Sequence, residues 1–174
     1  MINNTVEKIR KHLSAVMDLL KIEKTESNEQ TDLRIAKMWV NDFFVNRNDY
    51  NIEELDAHMK VFPVESREGE IIMETPFQSI CEHHWLCFYG TVKVTYIPQN
   101  HIIGLSKIPR VVEYFSKRPQ LQERLTNDIG EYLNIVICPY YIRVEINAKH
   151  ECVMCRGIKS DCDTLTYFER GVRP

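Results

Sequence analysis

The sequence predicts an α+β domain with largely antiparallel strand pairing, and three observations carry that prediction. Apolar residues recur at helical spacing in several segments. Two other segments, TVKVTYI (residues 91–97) and YYIRVEINAKH (residues 140–150), alternate with the period of a half-buried strand. The helical segments between these strands come as a pair rather than as single crossovers, which argues against a parallel β-α-β array. A chain of 174 residues is long enough to bury one real core.

The elements follow in order. Over residues 4–21, Val6, Ile9, Leu13, Val16, Met17 and Leu20 form an apolar stripe, so the first element is an amphipathic helix. The polar run KTESNEQ ends it. Thr31 and Asp32 are candidate caps for a second helix containing AKMWVNDFF. The apolar and aromatic residues of that helix (Met38, Trp39, Val40, Phe43, Phe44) suit a core or an interface. VNRNDYN reads as a loop. The pattern changes at Val61, which separates an N-terminal helical region, residues 1–60, from a second region, residues 61–174.

In the second region, PQN after TVKVTYI is a turn candidate. SKIPRVVEYFSKR returns to helical spacing, with Pro109 placed where the first turn tolerates it. A further helix covers Leu121 to Leu133. The strand after it turns Ile142, Val144 and Ile146 to one side, and TLTYF is a last short strand. No repeat or low-complexity segment is present.

Charge and composition exclude several classes. A net charge of -3 gives no reason to expect nucleic-acid binding, although a local basic pocket is compatible with it. No run of eighteen apolar residues exists, so no membrane partner is expected. The start, MINNTVEKIRKHL, lacks the apolar stretch of a signal peptide, and a cytoplasmic location is expected. Six cysteines in a reducing compartment point to metal or thiol chemistry rather than disulfides.

The cysteines cluster with histidines in two places. CEHHWLCFYG runs from Cys81 to Gly90, and HECVMCRG from His150 to Gly157. Cys81 and His84 have C-x2-H spacing; Cys152 and Cys155 have C-x2-C spacing. Zinc takes thiolate and imidazole ligands in tetrahedral sets. All four residues would close the coordination sphere and make a structural site. Three would leave a position open for catalysis, and spacing alone does not choose between these. His83 and His150 flank the ligands and suit proton transfer. Glu82 joins them as a group that orients an imidazole or acts behind the ligands.

Lys107, Arg110 and Arg156 are candidates for an anionic substrate. Gln122 and Glu123 open a helix, where the acid serves either the helix start or the N–H edge of a purine. Neither a G-x-x-x-x-G-K-[ST] loop nor H-E-x-x-H is present, so a standard P-loop and a zincin peptidase are not indicated.

These residues together resemble the GTP cyclohydrolase I family. FQSICEHHWLCFYG, YIPQNHIIGLSKIPRVVEYFSKRPQLQERLT and HECVMCRG stand in the family's order and at compatible distances. The resemblance implies zinc ligands at Cys81, His84 and Cys152, with Cys155 outside the set and a coordination position open. It implies active-site histidines at His83 and His150. Gln122 and Glu123 would form the guanine-recognition segment, Glu123 binding the guanine edge, in a pocket lined by Ile103, Gly104 and Leu105. Ser106, Lys107, Arg110 and Arg156 would bind phosphate.

The implied fold is the tunnelling fold, an antiparallel sheet with helices on one side, here with N-terminal helices added. The implied partner is GTP, and the implied assembly is a homodecamer of two stacked pentamers. The implied reaction converts GTP and water to 7,8-dihydroneopterin triphosphate and formate. A purine-nucleotide ring hydrolase that stops earlier or takes a modified nucleotide is the alternative, followed by a non-catalytic zinc-stabilised assembly protein. Two features depart from the family pattern: Cys87 stands where a proline is common, and CDTLTYFERG replaces a run richer in small hydroxyl residues.

Overall fold

The computed structural model describes residues 4–45, 52–65 and 69–173. The chain forms two compact units, Met1–Val45 and Asn46–Pro174. Most of the expected loop VNRNDYN, residues 46–51, lies outside the described residues.

In the first unit, helix α1 spans Asn4–Leu19 and helix α2 spans Thr31–Met38. A single π-helical turn, Trp39–Phe43, continues α2, and the Phe44 N–H donates to the Trp39 carbonyl in its i→i+5 pattern. Of the stripe on α1, Val6 and Met17 are buried, whereas Val16 and Leu20 are exposed. The cap expected at Thr31 or Asp32 is not formed. Gln30 is the N-cap and makes no side-chain capping bond. The Asp32 carboxylate instead accepts from Arg10 Nε at 3.1 Å and ties α2 to α1.

The second unit begins with helix α3 (Ile52–Asp56) and strand β1 (Val61–Pro63). Strands β2 (Ile71–Cys81), β3 (Cys87–Ile97) and β4 (His101–Ile103) follow. Helix α4 (Lys107–Ser116), strand β5 (Pro119–Gln120) and helix α5 (Gln122–Ile137) come next. Strand β6 (Tyr141–His150), the short helix α6 (Glu151–Met154) and strand β7 (Asp163–Gly171) complete it. β1 and β4 form a small antiparallel ribbon, and the main sheet has the order β5-β2-β3-β6-β7. Every neighbouring pair in the main sheet is antiparallel except β2 with β5. This is the α+β architecture with antiparallel pairing that the sequence implies.

β2 was not evident as a strand, because Pro76 and the polar residues Thr75, Gln78 and Ser79 interrupt its apolar pattern. The sheet resolves this. β5 reaches β2 only at Ile80 and Cys81, so the part of β2 around Pro76 is a sheet edge, where a missing N–H is tolerated. Thr75 and Ser79 face inward, and the Ser79 hydroxyl donates to the Ser116 carbonyl at 2.7 Å.

One face of the sheet carries Phe88, Val92, Val94, Ile142, Val144 and Ile146, all fully buried. Against it pack Ile108, Val111, Val112 and Phe115 of α4, and Leu125, Ile129, Leu133 and Ile137 of α5. Their three- and four-residue spacing is what the helical periodicity promised. Full burial of each such side chain stabilises the fold by about 1.5–3 kcal/mol. Gly130 lets α5 lie close on β7, since a Cβ there would stand 2.2 Å from the Phe168 ring.

The opposite face is charged. Arg143 donates to Glu145 and Glu169, each at 2.9 Å, and stacks over the Tyr167 ring. No helix among the described residues is long and apolar enough to cross a membrane.

Candidate metal centre and active site

The site forms where β2, α5 and β6 end or begin together. β2 delivers Cys81 at its last position, and the chain then turns back into β3. The turn is closed by the Trp85 N–H donating to the Cys81 carbonyl and the Cys81 N–H to the Leu86 carbonyl, both at 2.8 Å. Trp85 adopts φ 54° to complete it. The turn brings His84 within ligand distance of Cys81.

From the other side, β6 ends at His150 and passes directly into α6, whose first turn carries Cys152. The ligand atoms of Cys81, His84 and Cys152 all lie within 4.8 Å of one another. Two thiolates around tetrahedral zinc stand about 3.8 Å apart, given Zn–S bonds of about 2.3 Å, so the cluster has the right span. Cys155, exposed at the end of α6, does not join the group. Three ligands therefore converge, and the four-ligand alternative is not formed.

The donor chemistry also fits a dication. Burial pushes the Cys152 thiol up, and the adjacent Cys81 thiol raises it further. A dication between the two sulfurs reverses that preference by stabilising both thiolates.

His150 is held by a ring stack and a side-chain hydrogen bond. Its ring stacks parallel on Phe88 with centroids 4.8 Å apart. Its Nε2 lies 2.7 Å from Gln122 Oε1. The orientation of that amide is determined by its other end. Gln122 Nε2 donates to the carbonyls of Ile146 (3.0 Å) and Thr164 (2.8 Å) and to Thr166 Oγ1 (3.1 Å). Gln122 Oε1 must then accept, so His150 Nε2 carries a proton and the neutral ring keeps its lone pair on Nδ1. Burial lowers the pKa of His150, while the nearby Glu123 carboxylate opposes that shift.

The remaining candidates divide by position. His83 is exposed, its ring edge-on to His84 with centroids 6.2 Å apart. Arg156 reaches the centre, its Nη1 lying 2.6 Å from His84 Nε2. Glu82 accepts from Arg124 at 2.7 and 3.3 Å, and this guanidinium holds its carboxyl below the usual carboxylate range. Arg124 was not singled out from the sequence. Its place next to Glu123 was the available signal, but its partner is 42 residues away.

Ile103, Gly104, Leu105, Ser106, Lys107 and Arg110 belong to β4, the start of α4 and the turn between them. Ile103 is buried in the core, Leu105 and Arg110 are exposed, and Ser106 is the N-cap of α4. The other end of α4, at Ser116, touches Ser79 near the metal cluster. At about 1.5 Å of rise per residue, Lys107 stands roughly 14 Å and Arg110 roughly 9 Å along the helix from Ser116.

The family model for GTP cyclohydrolase I matches residues 6–173. The GTP cyclohydrolase 1 of Wigglesworthia glossinidia brevipalpis is 40% identical over 171 residues, covering 96% of this chain and 77% of that protein. The GTP cyclohydrolase 1 of Latilactobacillus sakei subsp. sakei (strain 23K) is 42% identical over 147 residues, covering 82% and 75%. Among solved structures, the archaeosine synthase QueF-Like in its apo form matches 63% of this chain and 100% of its own, with a TM-score of 0.51. At 21% identity that likeness concerns the fold, and it agrees with a tunnelling fold. With its three-ligand cluster in place and the family pattern running from residue 6 to residue 173, the chain belongs to the GTP cyclohydrolase I family.

Proposed function

We propose that this protein converts GTP and water to 7,8-dihydroneopterin triphosphate and formate in the cytoplasm. The observation that carries the reading is the convergence of Cys81, His84 and Cys152 beside an ordered His150. When bound there, zinc supplies Lewis acidity and an activated water for attack on the guanine C8.

The chain's own residues bind, orient and move protons. Glu123, at the open end of α5, accepts from the N–H edge of guanine, while Ile103, Gly104 and Leu105 line the base pocket. His150 holds or moves a proton at Nδ1, the nitrogen that Gln122 leaves available, and protonation at guanine N7 makes C8 more electrophilic. His83, exposed beside the ligands, exchanges protons with solvent during ring opening and formate release. Ser106, Lys107, Arg110 and Arg156 take the triphosphate. Holding both ends of the nucleotide positions C8, and such positioning supplies a large part of a rate enhancement.

The roughly 14 Å along α4 between Lys107 and the Ser116 end supports a site completed by a neighbouring subunit. The assembly that fits this reading is a homodecamer of two stacked pentamers.

Zinc-loaded protein incubated with GTP tests the proposal, with formate and the fluorescent oxidised pterin measured together. Both products are expected in equal amounts. Formate without pterin would indicate a hydrolase that stops after deformylation and before the pterin ring closes, and neither product would sink the reading.

A further inference from the structure

Two residues in the first turn of α5, Gln122 and Arg124, reach different parts of the site, and Glu123 lies between them. Gln122 holds His150, Arg124 holds Glu82, and Glu123 between them is the residue proposed to bind the guanine edge. Successive helical side chains diverge by about 100°, so one turn can address three directions at once.

Glu82 sits between the ligand Cys81 and the pair His83–His84. Its N–H donates to the Gln120 carbonyl at 3.1 Å, and its carboxylate takes both terminal nitrogens of Arg124. The CEHH turn is thereby fastened to β5 through its backbone and to α5 through its side chain. The Glu82–Arg124 bond is the attachment that joins this turn to the first turn of α5.

We infer that Arg124 is a positioning residue: through its forked bond to Glu82 it sets the metal-bearing turn at a fixed distance from Glu123 and His150. The inference rests on the proposed function for its catalytic consequence. Its structural half, the hold on the metal ligands, stands apart from substrate. The pair is partly solvent-exposed, with side chains 47% and 29% accessible, and exposed pairs contribute only about 0–1 kcal/mol to stability. Its loss would therefore leave the fold intact, which makes the role testable.

The test uses zinc-loaded full-length protein as wild type, Arg124→Ala, Glu82→Gln, the double variant and Arg124→Lys. Zinc transfer to a chromogenic chelator is followed without nucleotide, formate release is followed across GTP concentrations, and thermal unfolding is recorded. Each of Arg124→Ala and Glu82→Gln is expected to speed zinc transfer and lower kcat, by about 10- to 100-fold. KM and Tm should move little. The double variant should match the worse single variant, because both remove one interaction. Arg124→Lys, which keeps the charge and loses the fork, should fall between.

Wild-type zinc transfer and kcat in both single variants would overturn the inference. So would effects that multiply in the double variant, or a collapse of Tm that accounts for the loss. If wild-type protein releases no formate from GTP, the functional reading fails, while zinc transfer still decides the role of Arg124.

Discussion

The side-chain oxygen of Gln122 lies 2.7 Å from His150 Nε2, and the nitrogen of the same amide is used by Ile146, Thr164 and Thr166. Gln122 is 2% exposed, so its side chain faces the protein on every side. Gln122→Met keeps the length of the side chain and removes the bonds. It should cost about 1–3 kcal/mol of stability, because buried carbonyls lose their donor. Formate release should fall through kcat with zinc content unchanged. A raised KM at unchanged Tm would instead mean that this amide contacts guanine directly.

The ligand set separates by single substitutions. Cys152→Ala should lose zinc and turnover together. His150→Ala should retain zinc and lose turnover. Cys155→Ala should retain both, since Cys155 stands outside the cluster. Metal analysis beside formate release reads all three, and zinc loss from Cys155→Ala would restore the closed four-ligand site.

A shared site between subunits predicts complementation. Arg110→Ala should raise KM for GTP and leave zinc content unchanged. Cys152→Ala subunits, inactive alone, carry an intact Arg110. Reassembling the two variants together should recover partial activity if the α4 N-terminus of one subunit serves the metal centre of another. Activity equal to the sum of the two separate preparations would place both groups in one chain's site.

Packing of α5 on β7 depends on the missing side chain at Gly130. In Gly130→Ala the new methyl would meet the buried Phe168 ring at 2.2 Å, and the ring or the helix must move. The expected cost is about 1–3 kcal/mol. Because Gln122 and Glu123 open the same helix, turnover should fall along with the Tm. A Tm unchanged from wild type would show that the interface has room.

Much of the site was legible in the sequence because its signals are local. C-x2-H and H-x-C place ligands a few bonds apart, and CEHH with HEC named Cys81, His84, Cys152, His83 and His150 directly. The α4 and α5 helices were legible for a related reason: their apolar residues repeat within the element itself. β2 was not, because its inward residues include Thr75 and Ser79, whose hydroxyls are acceptable only once α4 supplies a carbonyl to one of them.

What the sequence by itself determined was the inventory: two thiols and an imidazole that suit zinc, two further histidines, and an acid and several cations nearby in the family pattern. It also determined the alternation that makes the sheet and the family pattern that ties these parts together. Only the tertiary structure decided which parts meet. It set Cys152 on the inner side of a short helix and Cys155 at its exposed end, a choice C-x2-C spacing leaves open. It gave Gln122 to His150 and Arg124 to Glu82 across 28 and 42 residues. The physical reason is that hydrogen bonds and coordination depend on distances of a few ångströms, and strand pairing, not proximity in sequence, brings these side chains that close.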